Sequence, residues 1–172
     1  MSEPERGARN PAGARRRTAA RLAAVQALYQ IELAGAPAET VVTEFLRHRL
    51  GRQREDETFG EADATLFAEL VRGAVERQAE LDRLIGAALS PDWPLLRLES
   101  VLRAILRLGA YELLACSEVP ATVAISEYLD IAHAFFAAKE PGLVNGVLDH
   151  LARTLRPNEL GERHRGGAVA PQ

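Results

Sequence analysis

The sequence predicts an all-α protein, a compact domain of six or seven helices, and three observations carry that expectation. Apolar residues recur with a 3.6-residue period through almost every segment between positions 15 and 157. No segment alternates apolar and polar side chains convincingly, as a half-buried strand would. Prolines and glycines fall where they cut the chain into helix-length pieces joined by short connections. With 172 residues, 47% of them apolar, one domain has material for a sizeable core.

Thr18 suits an N-cap and Gly35 tolerates the positive φ of a C-cap, so together they bound the first predicted helix. On it Leu22, Val25, Tyr29 and Leu33 form one stripe while Leu28 and Ile31 lie nearly opposite, the pattern of a helix sandwiched between others. Pro37 opens a second helix through Val41, Val42, Phe45, Leu46 and Leu50, because proline fits the first helical turn. The charge-dense stretch 51–60 reads as a loop.

A third helical region, about Asp63 to Leu89, places Leu66, Phe67, Leu70, Val71, Ala74, Leu81, Leu84 and Ile85 on one face. Ser90-Pro91-Asp92-Trp93-Pro94 interrupts it, since each proline lacks an amide donor and restricts the residue before it. The next helix starts near Leu95, burying Leu98, Val101, Leu102, Ile105, Leu108 and Leu113 and turning Glu99, Arg103, Arg107 and Tyr111 away. Pro120 begins another, with Ile125, Tyr128, Leu129, Ala132, Phe135 and Phe136 on its apolar side, and Pro141-Gly142 ends it. A last helix carries Leu143, Val144, Val147, Leu148, Leu151 and Leu155, and Pro157 closes the fold. Residues 1–14 and 158–172, which mix proline, glycine and charge without a period, are expected to be a disordered arm and tail around a body of 15–157.

Composition narrows the function classes. Cys116 is the single cysteine, which excludes an internal disulfide and a zinc site built on paired cysteines and suits a reducing compartment, so a cytoplasmic location is expected. No run of 18 apolar residues occurs that would form a membrane span. Arg15-Arg16-Arg17 ahead of Leu22-Ala23-Ala24-Val25 has the outline of a signal peptide, but Gln26, Gln30 and Glu32 break the apolar run. The net charge of −3 is unevenly spread: six arginines against two glutamates make residues 1–21 +4, which leaves −7 on the remainder.

The basic tract is the main functional candidate. Arg15, Arg16 and Arg17, with Arg21 four residues on, offer planar donor forks that suit phosphate and flat faces that stack on bases, so an arm ordering along RNA competes with a merely solvated tail. Gln26 within the apolar stripe reads as a satisfied polar residue at a helix contact. Glu112 lies beside an apolar face, where an unpaired carboxylate is costly, and is expected to cap or pair with a neighbouring element. Ser126, Asp130 and His133 share a helix face and supply triad-like residue types. Seven residues nevertheless put Ser126 and His133 roughly 10 Å apart along the axis, too far for a direct hydrogen bond. Without glycine-rich phosphate loops, nucleotide motifs or metal-ligand spacings, the reading is a non-enzymatic protein with no cofactor and no metal.

Four stretches taken together resemble the NusB family of transcription antitermination factors. They are Arg15-Arg16-Arg17 through Ala24-Val25-Gln26-Ala27-Leu28-Tyr29, Arg103 to Leu108 with Tyr111-Glu112-Leu113, Val119-Pro120 with Val123 to Glu127, and Val144-Asn145-Gly146-Val147-Leu148. The match runs in order over roughly residues 14 to 157. The resemblance implies two packed three-helix halves, no catalysis, and a complex with NusE, a small-subunit ribosomal protein. In that complex NusB binds the boxA element of nascent RNA and helps RNA polymerase read through terminators in ribosomal RNA operons.

By matching position, the resemblance implies that Arg15, Arg16, Arg17 and Arg21 form the RNA arm, and that Lys139, Glu140 and Asn145 lie near RNA. It assigns Tyr29, Glu99, Leu102, Arg103 and Phe135 to NusE. Three departures stand out: Thr18-Ala19-Ala20 separate the arginine run from Arg21, Leu102 stands where an acidic residue is common, and Leu143 where an aromatic is common. The family's domain also occurs ahead of a methyltransferase domain in an RNA cytosine methyltransferase. The sixteen residues after Arg156 leave no room for a methyl-donor site, so a stand-alone binding protein is expected, with a role in ribosomal RNA maturation or modification as the alternative. A helical adaptor that binds only protein leaves the arginines unexplained.

Overall fold

The computed structural model describes residues 10–50 and 62–160; the expected loop at 51–60 and most of both expected tails lie outside them. Within these residues the chain is all-α: α1 (Pro11–Ala34), α2 (Ala38–His48), α3 (Ala64–Glu76), α4 (Gln78–Ala88), α5 (Ser100–Ala115), α6 (Ala121–Phe135), α7 (Glu140–Leu155) and a single turn, α8 (Pro157–Leu160), with a 3-10 turn at Leu95–Arg97 ahead of α5. The helices α1, α2 and α3 pack on one another, as do α5, α6 and α7. The two halves meet through α5, which also lies against α1 and α3, and α4 bridges from α3 to α5 and α7.

The first helix starts at Pro11 rather than near Thr18. Asn10 caps it, its Oδ1 accepting from the Gly13 amide at 3.2 Å, and Pro11 takes the first helical position, where its missing N–H goes unmissed. The arginine run therefore sits on a formed helix, not on an arm ahead of one. Gly35 ends α1 as expected, at φ 62°, with its amide donating to the Ile31 carbonyl at 3.0 Å.

What α1 buries is Ala20, Arg21, Ala23, Ala24, Val25, Ala27 and Leu28, an alanine-rich face that lets α3 and α5 approach closely. Tyr29 and Leu33, expected to continue a core stripe, are exposed. Alanine carries little weight in an apolar pattern read from large side chains, and this is why the pattern misplaced the buried face.

The third helical region is two helices. Arg77, at φ −101° and ψ 18°, ends α3 and starts α4, and its guanidinium pairs with Glu80 at 2.9 Å. The turn allows α4 to follow α5 while α3 packs on α1. Neither proline nor glycine marks the break. At Asp63 the carboxylate accepts from the Leu66 amide at 3.0 Å, which fixes the start of α3.

Buried almost all round, α5 is the axis of the molecule, so Arg107 and Tyr111 are turned inward and not away. Arg107 is held by Asp82 at 2.8 Å and reaches Glu32 at 3.4 Å. The Tyr111 ring lies where a Cβ on Gly73 would stand, 2.1–2.3 Å from it, so only glycine permits this crossing of α3 and α5. Pro141, expected to end one helix, instead opens the next within the first turn of α7.

Past the end of α7, Arg156 donates to the carbonyls of Leu113 (2.9 Å), Glu112 (3.0 Å), Cys116 (2.7 Å) and Val119. The carbonyls of Glu112 and Cys116 also accept from the Cys116 and Val119 amides, and the guanidinium adds its bonds to these and supplies a donor to Leu113, near the end of α5, and to Val119 in the loop beyond it. Glu159 then accepts from the first amide of α6, that of Ala121, at 2.8 Å, and from Arg156 at 3.2 Å.

Candidate RNA and partner interface

Arg15, Arg16 and Arg17 are exposed on the first turns of α1. Their turn is held from two sides. The Arg16 carbonyl accepts from the Asp63 amide at 3.0 Å, and the Thr18 hydroxyl lies 2.9–3.0 Å from both carboxylate oxygens of Glu127 on α6. A basic helical surface that is already formed has little ordering cost to meet when a strand binds it.

Arg21 does not belong to that surface. Its side chain is 2% exposed and faces the core, where Nε lies 3.0 Å from both oxygens of Glu112 and Nη2 is 2.5 Å from Oε1. The Tyr128 hydroxyl donates to the same carboxylate at 2.7 Å, and Glu127 approaches the other guanidinium nitrogen at 3.8 Å. Burial disfavours the guanidinium charge, but the hydrogen bonds and charge of Glu112 outweigh it and leave the Arg21 pKa raised. Burial and the neighbouring carboxylate push the Tyr128 pKa well up, so the phenol stays a neutral donor. Thus Glu112 has its partner, and Arg21, assigned to RNA by position, is corrected to a structural ion pair between α1 and α5.

Of the residues assigned to a protein partner, the structure brings two together. Tyr29, 37% exposed, and Phe135, 44% exposed, line a groove of about 480 Å³ with Val25, Gln26, Leu33 and Val101. Gln26 is half-buried on its wall. Glu99 is exposed at the start of α5. Leu102 is 2% exposed, packed in the core and out of a partner's reach, which corrects its assignment.

Arg103 is engaged within the chain. Its guanidinium donates to the carbonyls of Leu96 (3.2 Å) and Leu98, to the Ser100 hydroxyl (3.1 Å) and to Glu32. Its role is to fasten the 3-10 turn and α1 to α5. Leu33 and Val101 complete the groove, although the resemblance did not point to them.

Helices α1 and α6 run in the same direction, with Arg17 beside Pro120 and Val123 at the start of α6, Thr18 against Glu127 further along, and Tyr29 and Phe135 sharing a groove towards their ends. Lys139, Glu140 and Asn145 follow the end of α6, all three at least partly exposed. The arginine turn and this second set therefore occupy opposite ends of the helix pair. From Arg17 to Tyr29 the rise alone is about 18 Å. At the Lys139 end the ammonium sits 5.3 Å from the centre of the Trp93 ring, a residue the sequence had marked only as part of a helix break.

Ser126, Asp130 and His133 are all exposed along α6. Glu69, Cys116 and Glu118 bring a thiol and two carboxylates within 4.8 Å of one another. Burial and the neighbouring carboxylates push the Cys116 thiol up to about 12, and it donates to Glu69 at 3.7 Å, an arrangement that disfavours the thiolate a metal would bind. No helix among the described residues is long and apolar enough to cross a membrane.

Comparison with known proteins gives a consistent result. The model of the NusB family matches residues 18–153. A protein of Bradyrhizobium sp. strain BTAi1 named "Transcription antitermination protein NusB" is 50% identical over 154 residues, covering 90% of this chain and 91% of that one. One of the same name from Nitrobacter hamburgensis is 52% identical over 147 residues, 86% of this chain and 92% of its own. Among solved structures, T. maritima NusB superposes with a TM-score of 0.69 at 32% identity, covering 94% of this chain and 99% of that one. A NusB crystallised with NusE and dsRNA superposes with a TM-score of 0.67 at 26% identity, over 81% of this chain and 98% of that one. With the family model spanning the body of the fold and relatives half identical over nearly their whole length, this chain belongs to the NusB family.

Proposed function

We propose that this chain is a transcription antitermination factor that binds boxA RNA together with NusE, and so helps RNA polymerase read through terminators in ribosomal RNA operons. Its place of work is the cytoplasm, beside nascent RNA. The observation that carries the reading is the pairing, on one rigid helix pair, of a basic turn at one end with an exposed aromatic groove at the other. Arg15, Arg16 and Arg17 supply phosphate contacts, and Lys139, Glu140 and Asn145 a second polar set.

The groove of Tyr29, Leu33, Val101 and Phe135 suits the apolar anchor of a protein partner, since aromatic residues in a concave patch dominate interface energetics. Glu99 lies on the rim. The structural relative crystallised with NusE and dsRNA supports the same combination of partners.

No reaction is catalysed; the chemistry is reversible association. NusE and RNA bound to one surface are linked, so each strengthens the other by the same factor. Titrating labelled boxA RNA into the protein, with and without NusE, tests this: NusE is expected to tighten RNA binding. Equal affinity in both titrations overturns the cooperative reading.

A further inference from the structure

We propose that Trp93 is a base-stacking subsite for single-stranded RNA, acting with Lys139 at the corner where α6 gives way to α7. The inference rests on the RNA-binding reading above and extends it to a residue which that reading does not use.

The chain has one tryptophan and one lysine, far apart in sequence, and the fold brings them together with Nζ 5.3 Å from the ring centre. Trp93 remains 38% exposed although it is the largest apolar side chain available to the core. It is held in place by its turn: its amide donates to the Ser90 carbonyl at 2.9 Å, the Asp92 backbone amide donates to the Ser90 hydroxyl at 3.4 Å, and Pro91 and Pro94 flank the segment. A rigid aromatic presented outward on a braced turn meets a ligand without an ordering cost.

The ring forms one wall of a cavity of about 220 Å³ lined by Lys139, Glu140 and Leu143. That is about seven waters' worth at ~30 Å³ each, room for one flat heterocycle and not for a folded segment. Leu143 offers no ring, so the aromatic face here comes from Trp93 alone.

Single-stranded nucleic acid sites combine an aromatic platform for a base with a cation for the neighbouring phosphate. Lys139 is exposed and rests on the ring by a cation–π contact, which is weak at a solvent-exposed site, so its ammonium moves to a phosphate at small cost and uncovers the face for stacking. The Glu140 carboxylate accepts from exocyclic amino groups of bases. Asn145, exposed further along α7, continues the polar track. A ring bordered by both charges within so small a cavity fits a nucleotide better than an apolar peptide.

Because Trp93 is the only tryptophan, its emission reports on this corner alone. The full chain is titrated with a labelled single-stranded boxA oligonucleotide while label anisotropy and tryptophan emission are followed together. The expected result is quenching of Trp93 along the anisotropy isotherm. Trp93→Leu is expected to weaken binding about 5- to 150-fold, and Trp93→Phe to retain most of it. Lys139→Gln is expected to lower the salt slope by about 0.7. Binding seen by anisotropy with unchanged emission, and with unchanged affinity in Trp93→Leu, overturns the subsite and leaves RNA binding standing. No binding by anisotropy overturns both. If emission responds to NusE and not to RNA, Trp93 belongs to a protein contact and the proposal fails. Were Trp93→Leu to lose its helical circular dichroism, quenching of the unaltered chain decides.

Discussion

Replacing Arg21 by methionine is expected to destabilise the fold by about 3–5 kcal/mol, the usual consequence of stranding one member of a buried ion pair. The magnitude follows from the surroundings of Glu112. Its carboxylate is 0% exposed and receives three hydrogen bonds from Arg21 at 2.5–3.0 Å and one from Tyr128 at 2.7 Å. Without Arg21 the charge keeps only the Tyr128 hydroxyl. Glu112→Gln strands the guanidinium instead, although Glu127 at 3.8 Å offsets part of the loss. The double variant removes both charges, so its cost should fall short of the sum of the single ones by at least about 2 kcal/mol. Urea unfolding followed by circular dichroism at constant m-value measures all four proteins. A cost below about 1 kcal/mol for Arg21→Met, or additivity within about 0.5 kcal/mol, refutes the assignment of Arg21 to the core.

Three further outcomes are expected. Replacing Arg15, Arg16 and Arg17 together by alanine should lower the slope of log RNA affinity against log salt by up to about 2, at about 0.7 per phosphate contact, with helical content unchanged. A slope equal to that of the parent chain removes RNA from this turn. Cys116, its thiol pushed up to about 12, should resist alkylation in the folded state at pH 8 and react only on unfolding. The folded state holds that proton longer than the unfolded one does. This contribution is therefore full below about pH 9, the ordinary value, and stability should decline as pH rises from there towards 12, as pH-dependent denaturation will show. Arg156→Met removes four hydrogen bonds to backbone carbonyls, of which those of Glu112 and Cys116 keep a backbone amide donor, and should cost about 2–4 kcal/mol in thermal unfolding; a loss under about 0.5 kcal/mol shows that the Leu113 and Val119 carbonyls find other partners.

The helices were legible where local chemistry decides them. Pro37 and Pro120 mark starts, Gly35 marks a stop, and Glu112 announces a partner by being acidic beside an apolar face. Other features were obscured for identifiable reasons. Asn10 and Pro11 are a cap and a first-turn residue, but among Pro4, Gly7 and Gly13 they read as part of a structureless arm. Arg21 looked solvated because the Leu22–Tyr29 stripe drew the buried face away from the alanines that form it.

Arg107 and Tyr111 were misplaced because a helix enclosed on all sides has no outward face for a pattern to find. The break at Arg77 is imposed by packing on α5 and not by a breaker residue. For the candidate site, the arginine run Arg15 to Arg17 was legible in the residues themselves, whereas Tyr29 and Phe135 read as core positions and only the family resemblance marked them for a partner. The meeting of Trp93 with Lys139, and of Leu33 with Val101, depends on contacts between distant segments that no local pattern encodes.

The common direction of α1 and α6 sets a length requirement on the ligand. With the arginine turn and the Lys139 corner at opposite ends of the pair, a short oligonucleotide occupies one end at a time and gains nothing from the other. Once a strand is long enough to bridge them, the second contact becomes intramolecular, and its effective concentration depends on the flexible stretch between and not on the amount of RNA in solution. Affinity should then rise in a step with strand length, and the nucleotides in the middle serve as a tether whose reach matters more than their bases.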